Sequence, residues 1–323
     1  AVEPLGLAMQ SSAADVGKAA IEELVQLALA GNRPAELVAQ ARAMSLAGVD
    51  APNAEVRTHA LLHIQKLFEP DSLEPWFVAL GSSHADLRLS VVDRLVDARD
   101  ERVSAALLRA MGSDHDDLRL KAAAALARRG DLRTVEVLAA FLRAEDQRIA
   151  TRGVEALVSL ALVRKADEQG NLVAIPANRK AAAEAIVARL DDDPDRTADR
   201  GALIGALRRI GDASAGPILL RFAADDDASL RVRAFEALVA IAGDETRPAQ
   251  RLPNGVQRQR FQDALALDWL EAIALGSDAS LRERTARLLR DVDGDKVEPL
   301  LARLLEDREE LVRVAACEVL AFR

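Results

Sequence analysis

The chain has 323 residues and a formal net charge of −9; 50% of its residues are hydrophobic and 29% are charged. This balance excludes a disordered chain and argues against non-specific attraction to nucleic acid or to a membrane surface. Only 3% of the residues are aromatic and one is Cys, which argues against base-stacking platforms and excludes intrachain disulfides and cysteine metal clusters. Because there is no leader-like segment and no apolar run of about 18 residues, we expect a soluble, cytoplasmic protein.

One pattern recurs along the chain with a period of 31 residues. Eight of the nine copies have a basic residue, at what we call the basic position, and every copy has an apolar residue seven places later. The nine basic positions are Lys18, Arg57, Arg88, Arg119, Ala150, Arg200, Arg231, Arg282 and Arg313. Residues one before and three, four and seven after this position are mostly apolar, which is the stripe of an amphipathic helix, called helix B here. We expect the basic residues to bond to carboxylates and carbonyls of adjoining turns.

A second apolar stretch, called helix A, precedes most copies of helix B. Pro75 and Pro217 lie 13 and 14 residues before the basic position, where proline suits the first turn of a helix. Gly130 and Gly211 follow that position by 11 residues and precede an Asp, which is typical of a helix end and a new cap. Two short helices in a unit of this length predict a stacked array in which neighbouring units complete one another's core.

The period is broken twice, by steps of 50 and 51 residues. We assign the extra residues to inserted loops at 164–180 and 243–262, each of which follows a helix B. Turn residues between extended ones, such as Asn254 and Gly255, predict hairpins. Insertions in helical repeats tend to gather on a binding face. The candidate contact residues of the two loops are Asn171, Val173, Ile175, Arg251, Asn254 and Val256.

The segments DLRLKAAAALARRGD from Asp117 and SLRVRAFEALVAIAGD from Ser229 carry a pattern that resembles the HEAT repeat family, in particular its short bacterial form related to phycobilisome lyase repeats. The resemblance implies an all-α fold: a right-handed α-α superhelix (HEAT/armadillo-like solenoid) of about nine helical hairpins with two inserted loops. It covers residues 1–323 as a single solenoid and implies a bacterial source. Since both chain ends read as repeat sequence, we expect a piece of a longer array. The fold itself does not imply a function.

Few residues suggest chemistry. His59 and His63 are spaced so that a helix places both on one side, but no third metal ligand is evident near them, and we predict no metal site. His84 and His115 fall in a column of helix N-caps, and Cys317 falls in a core column of helix B. Because no Ser-His-Asp set, glycine-rich phosphate loop or pair of catalytic carboxylates is evident, we expect neither an enzyme nor a cofactor.

The outward stripe of helix B, two, five and nine residues after the basic position, lines the concave side in HEAT-like stacks. It is more basic than the chain as a whole. The residues predicted to bind a partner there are Lys121, Arg128, Arg152, Arg209, Arg233, Arg284 and Arg287. Segregated charge can steer an acidic partner even when the net charge is negative. The alternative is a solvated face whose charges pair with one another.

We therefore expect a non-enzymatic scaffold that binds an acidic protein or peptide on the concave helix B surface and the inserted loops. The runner-up is nucleic-acid binding through the same basic stripe, as in HEAT-like DNA glycosylases. A more remote alternative is chromophore handling of the kind that phycobilin lyases perform. No membrane partner is expected.

Overall fold

The computed structural model divides into two compact units, Ala1–Leu138 (unit 1) and Ala139–Arg323 (unit 2). The described residues are 2–192, 197–243, 250–251, 257–258, 263–292 and 294–322. For residues 197–199, 250–251, 257–258 and 263–265 the backbone alone is described. One continuous solenoid over residues 1–323 stays a prediction.

Within these residues, 18 α-helices and four short strands follow one another. The helices of unit 1 are α1 (Val2–Met9), α2 (Ala14–Leu29), α3 (Ala35–Ala47), α4 (Ala54–Ile64), α5 (Glu74–Leu80), α6 (Ala85–Leu95), α7 (Glu101–Met111) and α8 (Asp116–Arg128). Helix α9 (Val135–Phe141) runs from unit 1 into unit 2. The remaining helices are α10 (Gln147–Ala161), α11 (Pro176–Asp192), α12 (Thr197–Ile210), α13 (Gly216–Ala223), α14 (Ala228–Ala242), α15 (Asp263–Ala274), α16 (Ala279–Leu288), α17 (Val297–Leu305) and α18 (Glu310–Phe322). The strands are β1 (Arg164–Ala166), β2 (Leu172–Ala174), β3 (Gln250–Arg251) and β4 (Gln257–Arg258).

The helices follow the order predicted for nine hairpins, with odd-numbered helices as helix A and even-numbered helices as helix B. The prediction of an all-α helical-repeat fold is therefore confirmed. Within the described part of the chain, every helix is too short or too polar to span a bilayer.

The apolar stripe of helix B forms the core of each unit. The residue three after the basic position is buried in every copy, and the residue seven after it is buried in all but the last, where Leu320 is half-buried. Leu126 and Leu157 are both fully buried. Burying one such side chain stabilises the fold by about 1.5–3 kcal/mol.

The helix starts follow the predicted caps, with one difference. Asn53 and Asp227 accept hydrogen bonds from the backbone N–H two residues on, at 2.8 and 2.7 Å. His84 and His115 occupy the same N-cap position, but neither side chain makes a capping bond. At His84, the N–H donates instead to Ser82 Oγ at 3.1 Å. The histidine column was thus placed correctly, but its capping role is wrong.

The predicted helix ends rely on glycine. Gly130 and Gly211 have φ angles of 79° and 71°, a left-handed conformation that glycine adopts without a steric penalty. The aspartates that follow them, Asp131 and Asp212, accept hydrogen bonds from the N–H groups two residues on. The sequence signal for a stop followed by a new cap is confirmed at both places.

At three of the basic positions, the arginine ties its repeat to the next. Arg282 Nη1 donates to the carbonyl oxygens of Gly276 and Ser277, at 3.0 and 2.8 Å. Its Nε and Nη2 donate to the two carboxylate oxygens of Asp307 in the following repeat, at 2.7 and 3.0 Å. Equivalent bonds join Arg57 to Ala51, Pro52 and Asp86, and Arg231 to Asp225, Asp226 and Asp278. The structural role predicted for this column is confirmed at these three positions.

Cys317 is exposed, so its assignment to the core is wrong. Its counterparts Ala123 and Phe235 are buried. Helix α18 packs against α16 and α17, and Cys317 lies on a face of α18 that neither of these helices covers.

The two insertions form short antiparallel hairpins, as predicted. In the first, β1 pairs with β2, and Asp167 Oδ1 closes the turn by accepting a hydrogen bond from the N–H of Asn171 at 2.8 Å. The predicted end of this loop at residue 180 is wrong, because α11 already begins at Pro176, a residue suited to the first turn of a helix. In the second, β3 pairs with β4, and α15 begins directly after the predicted end.

Candidate functional site

Two of the predicted contact residues lie on α8 in unit 1. Lys121 Nζ donates to the carbonyl oxygen of Leu89 at 2.8 Å and pairs with Asp93 on α6 at 3.0 Å. Arg128 is exposed and forms no ion pair with the described residues. Lys121 therefore links two repeats, whereas Arg128 is free to meet a partner.

Arg209 and Arg287 in unit 2 also pair across repeats. Arg209 makes a two-pronged bond to Glu155 on α10, at 2.8 and 3.1 Å. Arg287 pairs with Glu318 on α18 at 2.9 Å and with Glu283 on its own helix at 3.1 Å. These contacts match the alternative of a face whose charges pair with one another. A binding role for Arg209 and Arg287 stays a prediction.

The other three candidates, Arg152, Arg233 and Arg284, are exposed on α10, α14 and α16. Arg233 and Arg284 have no ion pair within the described chain. A Cβ atom added to Gly201 would lie 3.6 Å from Cδ and Nε of Arg233, so the Arg233 side chain lies against α12. Arg233 and Arg284 are therefore the cations of this group that an anion would meet first, as far as the described residues show their pairing.

A cavity of about 310 Å³ opens beside Arg233, among the helix B segments α10, α12 and α14. It brings together two predicted residues, Arg209 and Arg233, with one that the sequence did not indicate, Arg189 of α11. Leu142, Val154 and Leu203 supply apolar wall, and Gly201, Ala202 and Gly205 supply small residues. The cavity thus combines an apolar lining with guanidinium groups.

Arg189 is only 5% exposed. Its Nε donates to the carbonyl oxygen of Leu142 at 3.1 Å, and this is its one bond to the described residues. The other buried arginines of the described chain, Arg57 and Arg282, each have a carboxylate partner. A buried charge without a partner costs several kcal/mol. An anion that enters the cavity would offset that cost at Arg189.

Repeat five, which lines the cavity, lacks the arginine of the basic position. Ala150 stands there instead, so no arginine side chain extends from that position of α10. Gly201 and Gly205 on the facing helix leave further room. The sequence carried a signal for this gap, since Ala150 is the exception in its column. Arg189 itself was missed because it lies on a helix A, outside the outward stripe of helix B.

The inserted-loop candidates are only partly described. Asn171 and Val173 are exposed on the first hairpin, and Ile175 is half-buried. Arg251 lies on β3, where the backbone alone is described, and Asn254 and Val256 lie outside the described residues. A contact role for these six residues stays a prediction.

A separate group of polar side chains joins α2 to α4 in unit 1. Glu22 Oε1 lies 2.9 Å from His59 Nε2 and 3.9 Å from His63 Nε2. The two imidazole rings stack with centroids 4.3 Å apart. Burial of the ring, and then the charges of His59 and Lys66, hold the pKa of His63 below its usual value of 6.5. The sequence showed no third polar group beside the two histidines, and the fold brings Glu22 to them from another repeat.

No protein-family model and no curated protein sequence matches the chain. Solved structures do match it. Kap121p is 16% identical over 99% of this chain and 37% of Kap121p, with a TM-score of 0.49. The archaeal HEAT-like repeats protein from Thermococcus onnurineus NA1 is 17% identical over 79% of this chain and 98% of that one, with a TM-score of 0.39. The CpcE–CpcF complex of phycocyanin lyase from Nostoc sp. PCC7120 is 18% identical over 78% of this chain and 95% of that one, with a TM-score of 0.36. Similar structures thus include HEAT-like repeat proteins, the family that the repeat pattern resembles.

Proposed function

We propose that this protein is a non-enzymatic interaction scaffold that binds an acidic segment of a protein partner on the helix B surface of unit 2. The observation that carries the proposal is Arg189, a buried guanidinium without a carboxylate partner in the described chain, which lines an open cavity beside Arg233. Charge-assisted bonds from guanidinium to carboxylate are stronger than neutral hydrogen bonds. A carboxylate side chain of the partner is therefore the group that this cavity would accept.

The lining supports a side chain on an apolar stem. Leu142, Val154 and Leu203 offer contacts to methylene groups, while Arg189 and Arg233 offer donors to a carboxylate. Arg209 is already neutralised by Glu155, so the uncompensated charge of the cavity belongs to the other two arginines. The Glu side chain has both methylene groups and a carboxylate. We therefore expect the partner segment to be rich in Glu.

The direct test is binding of a fluorescein-labelled 12-residue peptide of alternating Glu and Ala to the full chain, followed by fluorescence anisotropy. We expect Arg233→Glu combined with Arg284→Glu to weaken binding at least about tenfold, because like charges then face the peptide. Both residues are exposed without ion pairs in the described chain, so the midpoint of thermal unfolding should stay within a few degrees of the parent value. Unchanged affinity would contradict the proposed surface.

A second variant separates the contribution of the cavity to peptide binding from the contribution of the surface charge. Gly205 lines the cavity, and a Cβ atom there meets nothing within 4 Å, so Gly205→Leu adds an apolar side chain at the cavity without changing the net charge. We expect it to weaken peptide binding about as much as the charge reversal does. Ser90→Leu, which adds the same side chain to an exposed helix B position of unit 1, is the matched control and should bind normally. If Gly205→Leu also binds normally, the cavity is not the anchor.

Arg189→Met tests whether the buried guanidinium binds the partner or stabilises the fold. We expect lost peptide binding with little change in the unfolding midpoint, because removal of the unpaired charge offsets the lost bond to Leu142. A large destabilisation with normal binding would make Arg189 a structural residue and would overturn the proposal.

A DNA-binding measurement on the same protein distinguishes the acidic-segment proposal from nucleic-acid binding. A labelled DNA duplex at increasing NaCl concentration should show no binding at low salt if the acidic-segment proposal holds. Tight duplex binding that falls steeply with salt would indicate phosphate contacts instead. The net charge of −9 favours the first outcome.

A further inference from the structure

We propose that Glu22, His59 and His63 form a binding site for a divalent transition-metal ion such as zinc. This site is independent of the proposed peptide surface. His59 and His63 lie one turn apart on α4, and Glu22 reaches them from α2 in the preceding repeat. One oxygen of Glu22 faces the Nε2 atoms of both rings.

The spacing of the three groups suits a tetrahedral ion. Zinc binds imidazole nitrogen and carboxylate oxygen at about 2.0–2.2 Å, so two of its ligands lie about 3.3–3.5 Å apart. The distances from Glu22 Oε1 to the two Nε2 atoms are 2.9 and 3.9 Å, one just below and one just above that separation. Three protein ligands leave the fourth position open to solvent. The Glu22 side chain is 52% exposed, so it has room to shift toward an ion.

An ion pair of Glu22 with a protonated His59 is the competing explanation for the short distance. Such a pair involves one ring only, whereas the same Glu22 oxygen also lies 3.9 Å from His63 Nε2, which is the arrangement that a shared ion requires. Metal binding also predicts an effect of Lys66, whose Nζ lies 3.4 Å from His63 Nδ1. With a metal on Nε2, the Nδ1 atom carries the proton, and the lysine then only repels the ion.

The test is titration with ZnCl₂ by isothermal calorimetry, with the full chain carrying Cys317→Ser, since Cys317 is exposed and thiolates bind zinc. We expect one ion per chain and a higher midpoint of thermal unfolding, because the ion joins α2 to α4 and binds only the folded form. Glu22→Gln and His63→Gln should each weaken binding at least about tenfold. Lys66→Met should tighten it.

The matched control is His115→Gln, which removes an exposed histidine that makes no capping bond. It should leave zinc affinity unchanged. Equal loss in His115→Gln and His63→Gln, or no loss in Glu22→Gln, would overturn the site. Because peptide binding is measured without metal, failure here leaves the proposed scaffold function intact, and the reverse also holds.

Discussion

Arg282→Met should lower the free energy of unfolding by about 3–5 kcal/mol, the range for breaking a buried ion pair from one side. The side chains of Arg282 and Asp307 are only 5% and 10% exposed. The variant leaves the Asp307 carboxylate buried without its cation and leaves two carbonyl oxygens, of Gly276 and Ser277, without their donor. Urea unfolding of the full chain, followed by circular dichroism, measures the loss.

Arg284→Met, on the same helix, is the matched control. Arg284 is exposed and has no ion pair with the described residues, so its removal should change stability by less than about 0.5 kcal/mol. A loss of similar size in both variants would mean that the arginine column adds nothing beyond ordinary surface charge.

The same pair predicts a dependence on pH. The hydrogen bonds from Arg282 hold the pKa of Asp307 below its usual value of 3.8. Since the folded-state pKa is the lower one, the pair contributes its full stability above pH 3.8 and loses it as the pH falls through the folded-state pKa. The stability gap between the parent protein and Arg282→Met should therefore shrink as the pH falls below 3.8. A constant gap would contradict this pairing.

Gly216→Ala should destabilise the protein, whereas Gly205→Ala should stabilise it. A Cβ atom at Gly216 would lie 2.5 Å from Cζ2 of Trp269, a rigid and 7% exposed ring on α15. Such overpacking costs about 1–3 kcal/mol. At Gly205 the added methyl meets open space, and replacing glycine inside a helix by alanine gains about 0.5–1 kcal/mol.

Thermal unfolding of the two variants, compared with the parent protein, tests this difference in sign. Trp269 fluorescence provides a second measurement, since only Gly216→Ala should displace the indole. Equal midpoints for both variants would show that Trp269 does not pack on Gly216.

The sequence predicted the features that depend on neighbouring residues along one helix. The buried stripe of helix B, the N-cap at Asn53 and the helix end at Gly130 were all visible, because each is set within one or two turns by side-chain spacing or by one backbone angle. Asn254 and Gly255 indicated the second hairpin for a similarly local reason, and the structure pairs its strands.

Contacts between repeats were decided by the tertiary structure. The period says that Arg282 faces the next repeat, but the choice of Asp307 as its partner depends on how two helix pairs are staggered. The contact between Glu22 and His59 also depends on helix packing, because the two residues lie 37 positions apart in the sequence. The spacing of His59 and His63 within one helix gave no sign of this third polar group. The cavity lined by Arg189 likewise brings together Ala150 of α10 and Gly205 of α12, which lie in different repeats.

Local spacing along a helix therefore determined the repeat, its caps and its hairpins, since these follow from 3.6 residues per turn and from the backbone preferences of glycine, proline and asparagine. Only the packed chain decided which charges neutralise one another and which remain for a partner, because Coulomb energy depends on distances between side chains that the repeat period does not encode.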